Sequence, residues 1–477
     1  MEILKKNTGL YLDYYELTMA QGYFLNDREK LHANFDYYFR SNPFKSGYTI
    51  FAGLQDLLEL IQNFKYDSGS IDYLHKLGFH SDFLEYLKNF SFKGKVYAPN
   101  EGEIVFPNEP VVRCEGNIIE TQLLETLLLN ILNFQSLIAT KASRVRYSAG
   151  KRMIVDFGMR RAQGLGGIHA SKAAIIGGVN NTSNVYSAYL YGLTPTGTQA
   201  HSWIQSFEDE LTAFRKFAEL YPDNCILLVD TFDTLNSGIP NAITVAKEME
   251  NRGKKLLAIR LDSGDLAYLS KQARKMLDDA GLTYVKIVVS NQLDEYLIKS
   301  LIEQGAQIDS FGIGTNLITG KTDAALDGVY KLSICDGKPG IKLSEDIAKI
   351  TLPGIKKIFR YFNSNGKFYA DGIALEDEVK PDIIYHPHHP FKKRVVKDLE
   401  KENLLSKVYE DGNIIIKNKS VNEIAGYVKS RLEQLPEEHK RFEFPHIYKV
   451  GISSKLMNLR DELIKNIKGN YIKGKVK

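Results

Sequence analysis

The chain has 477 residues, with 62 Lys and Arg against 58 Asp and Glu for a formal charge of +4, and it is 43% hydrophobic and 25% charged. That length admits two or three domains or one large barrel with additions, and the composition is that of a globular protein with a sizeable core. So small a charge gives no support for nucleic-acid binding, which would want a clustered basic face, and argues weakly for small anionic ligands.

At the N-terminus, Met1 to Lys6 is followed by no long apolar segment, so no secretory signal is read and the cytoplasm is the expected location. The cysteines, Cys114, Cys225 and Cys335, are far apart and odd in number, which points to a reducing compartment without a disulfide framework. The first hundred residues mix short helices with aromatic-rich strands such as 31–39, and Pro99, Pro107 and Pro110 punctuate short strands after them. The most apolar stretch, 118–134, carries Glu120 and Glu125 and spaces its leucines as an amphipathic helix, which predicts a buried helix and no membrane span.

From about residue 154 the pattern becomes strand, polar loop, helix, repeated at the size of a βαβ unit. Strands are predicted over 153–157, 226–230, 256–261, 285–290 and 310–313, and helices over 242–251, 266–280 and 292–304. Near-continuous apolar strands alternating with helices imply a covered parallel sheet. No Gly-x-Gly-x-x-Gly follows an early strand, so a closed barrel is preferred to an open dinucleotide-binding sheet. The expected fold is α/β: an irregular (β/α) barrel over 136–335, an α+β, β-rich domain over 1–135, and a C-terminal segment, 336–477, packing partly on the N-terminal domain. A frayed, lysine-rich tail is expected over 465–477.

Four of the strands end in chemically loaded loops, Asp230-Thr231-Phe232-Asp233, Arg260-Leu261-Asp262-Ser263-Gly264-Asp265, Ser290-Asn291 and Gly312-Ile313-Gly314-Thr315-Asn316. In barrels, the loops at that end build the active site. Gly312, Gly314 and Thr315 suit backbone and hydroxyl donors to an anion, although a plain turn explains them as well. Arg260 and Asp262 share a strand face and suit a phosphorylated sugar, with Asp262 on ribose hydroxyls or a magnesium shell; a structural ion pair is the alternative. Phe157 offers a stacking face and Arg160 and Arg161 hold acidic groups, against the ordinary reading of a core Phe and surface arginines. His201 stands alone in Gly-Thr-Gln-Ala-His-Ser-Trp, either a nucleophile or base or a hydrogen-bonded core histidine. The run His386-Pro387-His388-His389-Pro390 is read as a structural turn, and no residue is assigned as a metal ligand.

Six segments in order carry a resemblance: Tyr15-Glu16-Leu17-Thr18-Met19-Ala20-Gln21, Phe157-Gly158-x-Arg160-Arg161-Ala162, Thr182-Ser183-Asn184-Val185, Gly197-Thr198-x-Ala200-His201-Ser202-Trp203, Arg260-Leu261-Asp262-Ser263-Gly264-Asp265 and Phe311-Gly312-x-Gly314-Thr315. The sequence resembles the nicotinate phosphoribosyltransferases, type II enzymes with an irregular α/β barrel beside a β-rich domain. The resemblance covers about residues 11–360, and Leu12-Asp13-Tyr14 departs from the usual Thr-Asp-Leu.

It implies that nicotinate and 5-phosphoribosyl 1-pyrophosphate are joined with Mg2+ as cofactor and ATP as co-substrate, in a homodimer with a shared active site and no nucleic-acid or membrane partner. Tyr15, reaching a neighbouring subunit, and Phe157 would sandwich the pyridine ring, with Arg260 and Thr198 near nicotinate and the sugar phosphate. ATP would phosphorylate His201, Asp230 would orient that imidazole, and Asp262 would grip the ribose hydroxyls. Nicotinamide phosphoribosyltransferase is the nearest rival and a non-catalytic barrel scaffold a remote one. Ser183 favours the acid, because an aspartate there would repel a carboxylate whereas a hydroxyl donates to it.

Overall fold

In the computed structural model, which describes residues 7–345 and 349–474, six strands between residues 153 and 313 pair in parallel as a single sheet. They are β1 (Met153–Asp156), β2 (Asn181–Thr182), β3 (Ile226–Leu228), β4 (Ala258–Leu261), β5 (Lys286–Ser290) and β6 (Ser310–Ile313), in the order β2-β1-β6-β5-β4-β3. Ile154, Leu227, Ile259, Ile287, Val289, Phe311 and Ile313 are fully buried, as expected of strands covered by helices. The helices are set by local chemistry. Asp265 accepts from Tyr268 N at 3.0 Å to cap Leu266–Asp279, whose Leu266, Ala273 and Leu277 form the buried stripe, and the chain leaves it through Gly281 at φ 76°.

The expected closed barrel is not what the ladders show. Among the described residues no ladder joins the edge strands β2 and β3. The chain over 195–199 has contacts with both edges instead: Thr196 N donates to Thr182 O at 2.9 Å, and the buried Gln199 side chain donates to Ile226 O at 3.3 Å.

The chain divides into two compact units, not three domains. The parallel-sheet unit is Ile138–Ala324 with Ser420–Ala425, and the other runs to Leu137, over Ala325–Lys419 and from Gly426 onward. The boundary expected at 335 therefore falls at 324, because strand Gly328–Cys335 pairs antiparallel with His32–Phe39. That ladder belongs to a seven-stranded antiparallel sheet whose core holds Phe35, Tyr37 and Phe39. A second, six-stranded sheet of this unit includes Lys356–Phe362 and Phe368–Leu375 and buries Arg360 against Asp371 and Glu103.

The apolar stretch after residue 118 forms two helices, Ile118–Gln122 and Glu125–Ala149. The region is apolar and long enough to cross a membrane, but 72% of its most apolar window is buried inside the protein, as in a core helix. The lysine-rich tail is helical as far as it is described, in Ser454–Gly474, and not frayed over 465–474; residues 475–477 lie outside the described residues. Cys114, Cys225 and Cys335 are free thiols.

Candidate active site

The polar residues of the parallel-sheet unit meet at the C-terminal ends of its strands. At the end of β1, Asp156 is fully buried; its carboxylate accepts from Gly158 N at 2.7 Å, Ser171 Oγ at 2.7 Å and Thr182 Oγ1 at 2.8 Å. Burial raises the Asp156 pKa while these donors pull it back, so three hydrogen bonds to the charged form offset only part of its desolvation. Ser183 N donates to Asp156 O at 2.8 Å, and Thr182 Oγ1 accepts from Asn184 N at 3.0 Å. A single carboxylate thus pins the Phe157–Arg161 loop and the Ser183 loop together. Sequence reasoning missed this role, although a carboxylate closing an otherwise apolar strand was a visible signal.

The Phe157 ring packs against β6 at Gly312. A Cβ placed on Gly312 would sit 2.4 Å from the Phe157 ring, so the glycine is required by the close approach of the ring and not by backbone angles. The same construction puts the Gly312 position 3.3 Å from Ser290 Cβ, which brings the end of β5 into the same site. Arg160 and Arg161 are exposed, and among the described residues neither has an ion-pair partner. Gly314 and Thr315 begin the short helix Thr315–Ile318, while Asn316 is structural, donating to the carbonyls of Gln292 and Leu293 at 2.7 and 3.1 Å.

Arg260, on β4, donates through Nη1 to Thr198 Oγ1 at 2.5 Å, and its buried Nε has no partner among the described residues. Burial lowers the Arg260 pKa, opposed by the charges of Asp262 and Asp230 and reinforced by Arg160, so all four charges share one field. No ion pair within 4 Å joins Arg260 to Asp262 among the described residues, which removes the structural-pair alternative. Asp262 instead accepts from Ser290 Oγ at 2.5 Å.

His201 opens the helix His201–Gln205, which Trp203 fastens by donating from its indole to Ala213 O at 3.1 Å. Its Nδ1 is 3.1 Å from Thr231 Oγ1 and its Nε2 is 3.9 Å from Asp262 Oδ2, and its side chain is 40% exposed. The core-histidine reading therefore fails. So does the expected pairing of His201 with Asp230. Asp230 Oδ2 is occupied by the N–H of Asp262 at 2.8 Å and the Ser263 hydroxyl at 2.6 Å, which shapes the 262–265 loop, and Asp230 Oδ1 is buried without a partner.

Phe157, Arg160, Ser183, Asp230, Arg260, Asp262, Gly314 and Thr315 thus lie at the C-terminal ends of this sheet's strands or just after them, and Thr198 and His201 join them through Arg260 and Asp262. Tyr15 does not: it sits in helix Tyr14–Leu25 of the other unit, 44% exposed, with burial and the Glu125 carboxylate raising its phenol pKa. Among the described residues no group of three or more His, Cys, Asp and Glu is arranged to hold a metal. His386 Nδ1 accepts from the backbone N–H groups of His388 and His389 at 3.1 and 3.2 Å, as in a turn.

The family profiles for the nicotinate phosphoribosyltransferase N-terminal and C-terminal domains match residues 10–133 and 355–460. The nicotinate phosphoribosyltransferase of Bacillus subtilis is 44% identical over 471 residues, 96% of either chain, and that of Dictyostelium discoideum is 36% identical over 94% of this chain and 87% of its own. The crystal structure of human nicotinic acid phosphoribosyltransferase superposes with a TM-score of 0.84 at 29% identity, covering 95% of this chain and 99% of that one.

Proposed function

The chain belongs to the nicotinate phosphoribosyltransferase family, and from that premise we propose how its residues divide the transfer of a phosphoribosyl group to nicotinate. The pyridine nitrogen is already a nucleophile, so no residue is needed to deprotonate it. It attacks C1 of 5-phosphoribosyl 1-pyrophosphate as pyrophosphate departs and positive charge grows on the ribose ring. Catalysis then rests on placement and on charge stabilisation.

Phe157 supplies one stacking face, held at its height by Gly312, and Ser183 donates its hydroxyl to the nicotinate carboxylate. Arg260 and Thr198 together bind an anionic oxygen of the sugar phosphate, Arg160 and the Gly314–Thr315 turn add donors, and Asp262 accepts from the ribose hydroxyls. Mg2+, when bound, would supply charge neutralisation for the departing pyrophosphate. Asp230, whose Oδ1 is buried without a partner, and the partly exposed Asp262 would hold it; a pair of carboxylates suits an ion that takes its other ligands from substrate phosphates and water.

His201 takes a phosphoryl group from ATP, and hydrolysis of the phosphohistidine drives the transfer forward. Thr231 holds the orientation of the ring through Nδ1, and Asp262 at 3.9 Å from Nε2 offsets positive charge on the imidazole. The sheet is read as an irregular barrel closed by residues 195–199, which delivers Thr198 and His201 to the rim. The assembly is a cytoplasmic homodimer in which Tyr15 of a second copy completes the base site.

The observation that carries this reading is the half-exposed imidazole between Thr231 and Asp262, beside an arginine with an unused donor. Purified protein with nicotinate or nicotinamide, phosphoribosyl pyrophosphate and Mg2+, with and without ATP, tests it by mass analysis of products. Nicotinate mononucleotide should form, faster with ATP. His201→Ala should abolish product-coupled ATP hydrolysis while slow ATP-independent transfer survives; unchanged coupling removes His201 from the role.

A further inference from the structure

We propose that a cavity on the second face of the seven-stranded sheet binds a small carboxylate with a bulky apolar body, at a site separate in sequence and in its residues from the transferase machinery. Along His32–Phe39 the side chains alternate: Phe35, Tyr37 and Phe39 enter the main core, whereas Asp36 and Tyr38 line the other face. Lys331 stands opposite Asp36 in the ladder. A cavity of about 230 Å³ opens there, on the order of seven or eight water volumes. Leu332, Ile350, Leu352 and Ile464 give it apolar walls. A six-membered ring bearing a carboxylate is of that size.

The charges that line it are Lys331, Lys356 and Arg460 against Asp36. Two of these cations are already committed. Lys356 Nζ is 2.7 Å from Asp36 Oδ2 and donates to Leu352 O and Gly354 O at 2.9 and 2.5 Å, so this buried pair neutralises itself. Arg460 donates to Pro387 O at 2.6 Å and to Asp461 at 2.8 Å, which fixes the 386–390 turn as one rim of the cavity. The histidine run that the sequence offered as a metal temptation thus serves as a wall.

Lys331 differs. Its acidic neighbour, Glu125, is 3.5 Å away, at the limit of a hydrogen bond, and its side chain is 37% exposed. This ammonium keeps donors for an incoming oxygen. A mostly apolar concavity with one available cation has the makeup of a small-molecule site and selects a monoanion over its neutral amide.

The test is titration of the full-length protein with cyclohexanecarboxylate and, separately, its neutral amide, by ligand-observed NMR with calorimetry. The acid should bind saturably and at least tenfold more tightly than the amide. Lys331→Met should weaken the acid about tenfold and leave the amide unchanged, and Ile464→Trp, which fills the space, should remove both. Thermal melts accompany both variants, and Lys331→Met alone suffices should Ile464→Trp fail to fold. Absence of saturable binding, equal affinity for acid and amide, indifference to Lys331→Met, or loss on Arg260→Met instead would each overturn the proposal, the last by placing the probe at the transferase site.

Discussion

At Arg360 the guanidinium donates to both oxygens of Asp371, to Glu103 and to the carbonyl of Ile104, while Tyr448 donates to Asp371 and Arg431 to Glu103. At Arg260, by contrast, Thr198 takes one N–H, and among the described residues Nε is buried without a partner and the carboxylate of Asp230 nearby keeps one oxygen unpaired. Both regions combine arginine with acids. In the first, Arg360, Arg431, Asp371 and Glu103 are matched to one another in a closed interior, with Glu109 Oε1 buried beside them without a partner among the described residues; in the second, donors and acceptors are held in place but left over next to an exposed imidazole. Buried polar groups in folded proteins are almost always paired, so the unpaired Arg260 Nε and Asp230 Oδ1, together with the exposed His201 and Asp262 beside them, suit a ligand that completes the hydrogen bonding.

The largest effect is expected at Arg360. Arg360→Met leaves Asp371 and Glu103 charged in a closed interior, and should cost about 3–5 kcal/mol of stability in denaturant melts. An effect below about 1 kcal/mol would deny that the saturated cluster is structural.

Glu16 is the intermediate case. It is fully buried beside Thr126, and burial, the larger influence, outweighs its hydrogen bonds and pushes its carboxyl up to about 7. A folded value above the unfolded one means that the folded state binds the proton more tightly. Stability is therefore greatest below about 4.5 and falls as pH rises towards about 7, by roughly 3 kcal/mol. Melts across that window should show the slope, and Glu16→Gln should flatten it. A parallel slope in the variant would assign the effect elsewhere.

Gly312→Ala comes next, since its methyl would lie 2.4 Å from the Phe157 ring. Overpacking should cost about 1–3 kcal/mol, and steady-state kinetics should show the KM for nicotinate rising more than that for phosphoribosyl pyrophosphate. An equal rise in both would mean that Phe157 does not stack on the base.

Much of this was legible in the sequence for a physical reason. Parallel strands buried on both faces read as apolar runs, and the polar residues that interrupt them gather at their ends, so β1, β4, β5 and β6 and their loops could be placed from pattern alone. The rest depends on register. Asp230 looked like the neighbour of His201, yet its carboxylate is taken by the 262–263 turn, a contact between residues more than thirty apart. The triple role of Asp156 links loops fifteen and twenty-six residues away. The strand Gly328–Cys335 continues the apolar rhythm of the sheet before it, but its ladder partner is His32–Phe39, which moved the boundary to 324. No local periodicity encodes such pairings.

The contrast between Arg360 and Arg260 holds only where the unpaired polar groups at the strand ends serve a ligand and not the fold. Arg260→Met tests it most directly, measured for unfolding midpoint and for kcat/KM with nicotinate and phosphoribosyl pyrophosphate. Stability should change by less than about 1 kcal/mol while kcat/KM falls on the order of 10²–10³. Full activity in that variant, or a stability loss as large as that of Arg360→Met, would contradict it.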